Sequence, residues 1–339
     1  MQNKANSDGQ NYQAIFIDVL RKSVSPKINL ADEVGQLLEI SADSSYRRLR
    51  GETEFTLNEA IRLCNHFDIP LEILSARNSE AVTFRTNRLN PDKDSFTHYL
   101  DGLLSELSWI SRYEHSEIIY AAEDLPVFYS LFFPVLARFK MCYWAKSILN
   151  VPDMQRMKVE DVELPEAWTD LASRISDLFL KVKSVEVWNT DTFKSTFEQI
   201  RFYWEAGFFR EKQSAFDVID EFRDVIRMIE MQSEMGKKLN FRKGQYSPAD
   251  YVLYTSELMI GNNCVLIKAD DKTACYIGYN TFNYMRTNNR FFNEQAEMWM
   301  KNLISKATLV SMVSEKQRHR FFKTTLNQIE ALRRQIEEE

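Results

Sequence analysis

Apolar residues recur at spacings of three and four along most of the chain, the period of amphipathic helices. Ile15, Phe16, Val19 and Leu20 make such a stripe across residues 11–24, and Pro26 ends it. A second stripe holds Leu30, Val34, Leu37 and Leu38. Ser41 is placed to cap a third, short segment that runs into Gly51. Thr56-x-x-Glu59 has the spacing of a capping box and opens a fourth helix, with Leu57, Ile61 and Cys64 expected inward. Pro70 opens a short fifth helix, which closes the bundle near residue 76.

Residues 77–95 are polar, contain Asn90-Pro91 and read as a linker, with a short strand expected at 81–85. Helical periodicity returns over 95–113, with Phe96, Tyr99, Leu103, Leu107 and Ile110 inward. Residues 117–121 lean towards strand, and 126–149 form an aromatic helical stretch divided at Pro134. Long helices are expected at 191–209 and 213–239, the second striped by Phe216, Ile219, Phe222, Ile226 and Ile229. The pattern changes after Gly244. Runs at 257–260, 264–268 and 273–279 are separated by Gly261-Asn262-Asn263 and by Asp270-Asp271-Lys272, the signature of a three-stranded meander. Helices follow at 290–306 and 314–337, the last opened by Ser314-x-x-Gln317. Within it Phe322, Leu326, Ile329, Leu332 and Ile336 recur as a coiled-coil-like seam. The expected fold class is mainly α. A five-helix bundle (1–76) and a linker (77–95) precede a larger helical domain (96–339), whose small antiparallel sheet lies near 257–279.

Composition narrows the function classes. Hydrophobic residues make up 44% and charged residues 27% of 339, as in an ordinary soluble protein, and nine Gly with eight Pro favour long helices. Cys64, Cys142, Cys264 and Cys275 show no Cys-x-x-Cys spacing and read as reduced, buried thiols. The polar N-terminus shows no secretory leader, and the most apolar run, 125–139, is too short to span a bilayer. A cytoplasmic protein without a membrane partner is expected. His66, His98, His115 and His319 have no metal spacing, and no Gly-rich phosphate loop occurs. No enzymatic activity, metal or cofactor is therefore expected. The aromatic cluster Phe128, Tyr129, Phe132, Phe133, Phe139, Tyr143 and Trp144 reads as core, with a ligand-pocket wall or an oligomer interface as alternatives. The basic stretch Lys316, Arg318, His319, Arg320 and Lys323 reads as a solvated helix face.

The informative chemistry lies in the nonamer Asp43-Ser44-Ser45-Tyr46-Arg47-Arg48-Leu49-Arg50-Gly51. A short helix carrying Ser, Tyr and Arg can enter a major groove, where Arg reads guanine or holds phosphate. With its support helix before it and a capped helix after it, the segment has the order of a helix-turn-helix. From Leu37-Leu38-Glu39-Ile40-Ser41 through Arg50-Gly51-Glu52 to Leu57, Ile61, Leu63, His66-Phe67, Ile69, Leu71 and Leu74, it resembles the DNA-binding domains of lambda-repressor and Cro type. The BetR-like branch of bacterial regulators is the nearest. Gly35 supplies the family's small residue in the support helix, whereas Glu39 stands where the tight turn usually has Gly. Glu39 must then adopt a positive φ or the turn must differ.

The resemblance implies a sequence-specific transcription regulator. Arg47, Arg48 and Arg50 are expected to carry DNA binding, Asp43, Ser44 and Tyr46 are candidate base readers, and Lys27 is a candidate phosphate contact. The rival readings are a protein-interaction head and an RNA-binding or antitoxin-like head. Residues 1–76 hold eight Lys and Arg against eleven Asp and Glu, a net of −3. Such a head contacts few phosphates, so the expected partners are double-stranded DNA and a second copy of the chain. The C-terminal domain is expected to build that homodimer and to sense a small-molecule or protein effector.

Overall fold

The computed structural model describes residues 11–24, 29–67, 69, 71, 82–86, 94–279 and 283–339. Two compact units meet in sequence at Thr83 and Phe84.

Unit 1 contains α1 (Tyr12–Ser23), α2 (Leu30–Leu38), α3 (Ala42–Leu49) and α4 (Leu57–His66). Each is capped by its own sequence: Asn11, Asn29, Ser41 and Thr56 accept from the first free backbone N–H groups. Thr56 and Glu59 form the full reciprocal box. Phe16, Leu20, Ala31, Val34, Leu38, Leu49, Leu63 and Cys64 make the core. On α4 the inward stripe is Ala60, Leu63 and Cys64, so Leu57 and Ile61 are exposed, to 68% and 38%, against the expectation from periodicity. The fifth helix expected from Pro70 lies outside the described residues.

Unit 2 corrects the expected fold class. Among the described residues it is built on a nine-stranded mixed sheet, which a mainly helical domain with a small antiparallel sheet does not have. In chain order its elements are β1 (Arg85–Thr86), α5 (Asp94–Ile110), β2 (Ser116–Ala122), α6 (Val127–Ser130), α7 (Pro134–Tyr143), α8 (Glu166–Phe179), β3 (Lys183–Trp188) and α9 (Lys194–Glu205). They continue with α10 (Lys212–Met235), β4 (Lys237–Asn240), β5 (Gln245–Thr255), β6 (Cys264–Ala269), β7 (Lys272–Tyr279), β8 (Asn283–Thr287), α11 (Arg290–Ser305), β9 (Thr308–Leu309) and α12 (Glu315–Glu338). The strand order is β1-β8-β7-β6-β2-β3-β5-β4, with β9 on β5. The strands β2, β3 and β5 are parallel, joined by helical crossovers, while β6, β7 and β8 extend the sheet as a meander. The meander's third strand is thus 283–287. Residues 257–260, expected as a strand, form the connection out of β5.

One sheet face packs under α5 to α10 and α12, and the other under α11. The aromatic cluster of α6 and α7 is part of the main core, where Phe128 stacks on Phe179 at 4.5 Å. The stripe on α12 faces that core too. Phe322, Ile329 and Ile336 are fully buried in their own unit, so the expected seam is not a free dimer surface. In β3, Ser184, Glu186 and Trp188 alternate onto the helix-covered face. There Glu186 accepts from Tyr129, Ser184 and Trp188 and faces Lys238, whose Nζ lies 3.7 Å away. Lys238 Nζ also sits 3.4 Å from the centre of the Phe179 ring. Among the described residues no helix is long and apolar enough to cross a membrane.

Candidate nucleic-acid interface

The site is built from the turn that joins α2 to α3. Glu39 caps α2 in the left-handed region, with φ 59° and ψ 40°. This is the first of the two options left by the missing glycine. Its N–H donates to Gln36 O, and Ile40 N–H donates to Gly35 O at 3.0 Å, so the last carbonyls of α2 are satisfied as the chain reverses. Arg62 of α4 reaches over the same end, donating to Leu37 O and lying 3.7 Å from the Glu39 carboxylate. Ser41 then starts α3 by accepting from Ser44 N–H at 3.2 Å.

Close packing fixes how α3 lies on α2. The Ser45 hydroxyl donates to Ala31 O at 2.6 Å, and Ser45 is completely buried. A Cβ on Gly35 would stand 3.3 Å from Ile40 O and 3.9 Å from Ser45 Cβ, which is why the smallest residue occupies this position. At the far end of α3, Arg21 of α1 donates to Leu49 O at 2.9 Å.

With Ser45 and Leu49 inward, Asp43, Tyr46, Arg47 and Arg50 fall at intervals of three, four and seven on the outward stripe. All four are exposed, Arg47 and Arg50 to 55% and 59% of their side chains. Glu52, just past the helix, lies 3.7 Å from Arg47 and 3.4 Å from Arg50. These exposed pairs hold the guanidiniums weakly and leave them available to a stronger anion.

Arg48 is placed differently. It turns to the flank, where Nη2 lies 2.9 Å from Glu59 Oε1, and its Nη1 donates to Ser44 O. Burial raises the Glu59 carboxyl, but hydrogen bonds from Thr56 and Arg48 outweigh it and hold the group below its ordinary value. Arg48 therefore ties α3 to α4, where the sequence pattern alone had put it on DNA. Ser44 is half-buried beside it, its Oγ accepting from Ser41 Oγ at 2.9 Å. Lys27 lies outside the described residues.

No protein-family model, curated protein or solved structure matches the chain.

The structure adds one residue that the sequence pattern did not single out. Asn29 caps α2 and reaches Tyr46, its Nδ2 3.5 Å from the phenol oxygen, so it borders the outward stripe. Its signal was legible: an Asn directly before an apolar-periodic run with Asp32 and Glu33 in the first turn is an N-cap pattern.

Proposed function

We propose that unit 1 is a helix-turn-helix head that reads duplex DNA through α3, and that unit 2 governs when it binds, as in a transcription regulator of the cytoplasm. The observation that carries this reading is the stripe of Asp43, Tyr46, Arg47 and Arg50 on the exposed face of a helix that is fixed on its other sides. A rigid helix offering two guanidiniums, a phenol and a carboxylate has the donors and acceptors that base edges and phosphates require. Arg47, at mid-helix, is assigned as the base reader. Arg50, at the C-cap, is assigned as the phosphate contact. One such helix engages few phosphates, so specific binding uses two heads on one face of the duplex.

The discriminating experiment is retention of the full chain on duplex DNA as salt is raised, with single-stranded RNA as competitor. Phosphate contacts give a linear loss of log affinity with log salt. Duplex retention with that slope, undisturbed by RNA, supports the reading. A protein-docking head would show no salt-dependent duplex retention, and an RNA-binding head would be competed away.

A further inference from the structure

Two thiols meet on the sheet face that α11 covers. Cys264 opens β6, Cys275 lies in β7, and their Sγ atoms are 3.8 Å apart, both side chains buried. The hairpin register sets Cys264 opposite Ile277 and Leu266 opposite Cys275, so the cysteines are diagonal neighbours on one face. They pack with Ile119, Leu266, Met300 and Leu303.

The two thiols share a hydrogen bond in which either sulfur can donate. Because the thiolate is the nucleophilic form, the sulfur that ionises reacts first and the one beside it resolves the product. Burial pushes the Cys142 thiol up to about 11.

We propose that Cys264 and Cys275 form a redox pair which a hydroperoxide converts into a cross-strand disulfide. One of the two thiols loses its proton and its sulfur attacks one peroxide oxygen; the O–O bond breaks, a sulfenic acid forms, and the other oxygen takes up that proton and leaves as water or an alcohol. The second sulfur then attacks the first, the S–S bond forms and the S–O bond breaks. The departing hydroxide takes the second thiol's proton and leaves as water. Two thiols lose two electrons, and the peroxide gains them.

Closure must bring the sulfurs from 3.8 Å to a bond of about 2.05 Å. Diagonal positions are farther apart than opposed ones, so β6 and β7 must shift to allow it. A bridge closed under strain is the readily reduced kind, suited to a reversible device. The shift has a route outward, because the preceding residue holds the end of β2. Asn263 Oδ1 accepts from the backbone N–H of Glu123 at 2.9 Å and of Asp124 at 3.3 Å, and its carbonyl accepts from Gly278 N–H at 2.7 Å.

The test is thiol mapping of the reduced full chain after hydrogen peroxide, followed by denaturation, alkylation and digestion without reductant. Lys268 and Lys272 lie between the cysteines, so trypsin separates them unless they are linked. The expected result is a linked Cys264–Cys275 peptide pair, lighter by two hydrogens and split by dithiothreitol, with Cys64 and Cys142 alkylated. In Cys264→Ser, Cys275 should instead gain oxygen. Both cysteines remaining alkylatable, or a link to Cys64 or Cys142, would each overturn the proposal. The wild-type map alone decides it if the variant does not fold.

Discussion

Arg48 leaves the outward face of α3 and meets Glu59 of α4, its Nη2 2.9 Å from Oε1 and its Nε 3.4 Å from Oε2. Both side chains are more than four-fifths buried, which makes this the one arginine of the nonamer with a structural post.

That separation of roles is measurable. Arg48→Ala should lower the stability of unit 1 by about 1–2 kcal/mol, because it removes a charge-assisted, largely buried contact. Arg47→Ala should leave stability unchanged yet cost about 1–3 kcal/mol of affinity at a specific site. Amide hydrogen exchange over α2, α3 and α4 in the full chain reads stability, and operator titration reads affinity. An Arg47→Ala variant as destabilised as Arg48→Ala would contradict the assignment.

At Glu39 the left-handed backbone carries a steric penalty of roughly 1–2 kcal/mol for a residue with a Cβ. Glu39→Gly removes it and gives up only an exposed contact with Arg62, so slowed exchange in α2 and α3, or no change, is the expected outcome. A loss above about 1 kcal/mol would show that the turn depends on the Glu39 side chain.

The turn and its caps were legible because they are local. Asn29, Ser41, Thr56 and Glu59 all act within three residues, and the resemblance of the segment placed the turn at Glu39. Of the sheet, the runs at 117–121, 264–268 and 273–279 were legible as the strands β2, β6 and β7, but its extent and its parallel half were not. The core face of β3 carries Ser184 and Glu186, which read as solvent-facing, and β5 contains Pro248 and Asp250. The partner strands β2 and β3 are separated by three helices, so no local pattern announces their pairing. Arg48 shows the remaining limit: spacing puts a side chain on a helix, but only the position of Glu59 decides where it turns.

The stripe on α12 makes the same point and carries a prediction. Periodicity shows that Ile329 is inward without showing what it faces, and it is wholly buried in its own unit. Ile329→Ala should cost about 2–5 kcal/mol of unit 2 stability while the molar mass by light scattering stays the same. All six tryptophans lie in unit 2, so their fluorescence follows its unfolding alone. A smaller assembly with undiminished stability would restore the seam.

Burial pushes the ammonium of Lys238 down to about 7, although the facing Glu186 carboxylate pulls the other way. Between that value and the ordinary 10.5 the unfolded chain holds a proton that the folded chain has released, so stability must rise with pH across this window. Below pH 7 both states are protonated and the contribution is flat. The groups facing Lys238 are Glu186 from β3, with Tyr129 bound to it, and Tyr251 from β5, and burial pushes both phenols well above their usual range. The urea midpoint by tryptophan fluorescence should therefore climb from pH 7 to 9 in the wild type more than in Lys238→Met. Parallel profiles would contradict it.

Reading of a DNA sequence by the outward stripe of α3 is tested most directly by selecting bound duplexes from a random pool. The full chain is compared with an Arg47→Ala/Arg50→Ala variant of the same fold by circular dichroism. The expected result is an enriched motif with two related half-sites about one helical turn, ~34–36 Å, apart, which the variant fails to enrich. A pool that stays random, or a motif that the variant enriches equally well, would contradict sequence reading by α3.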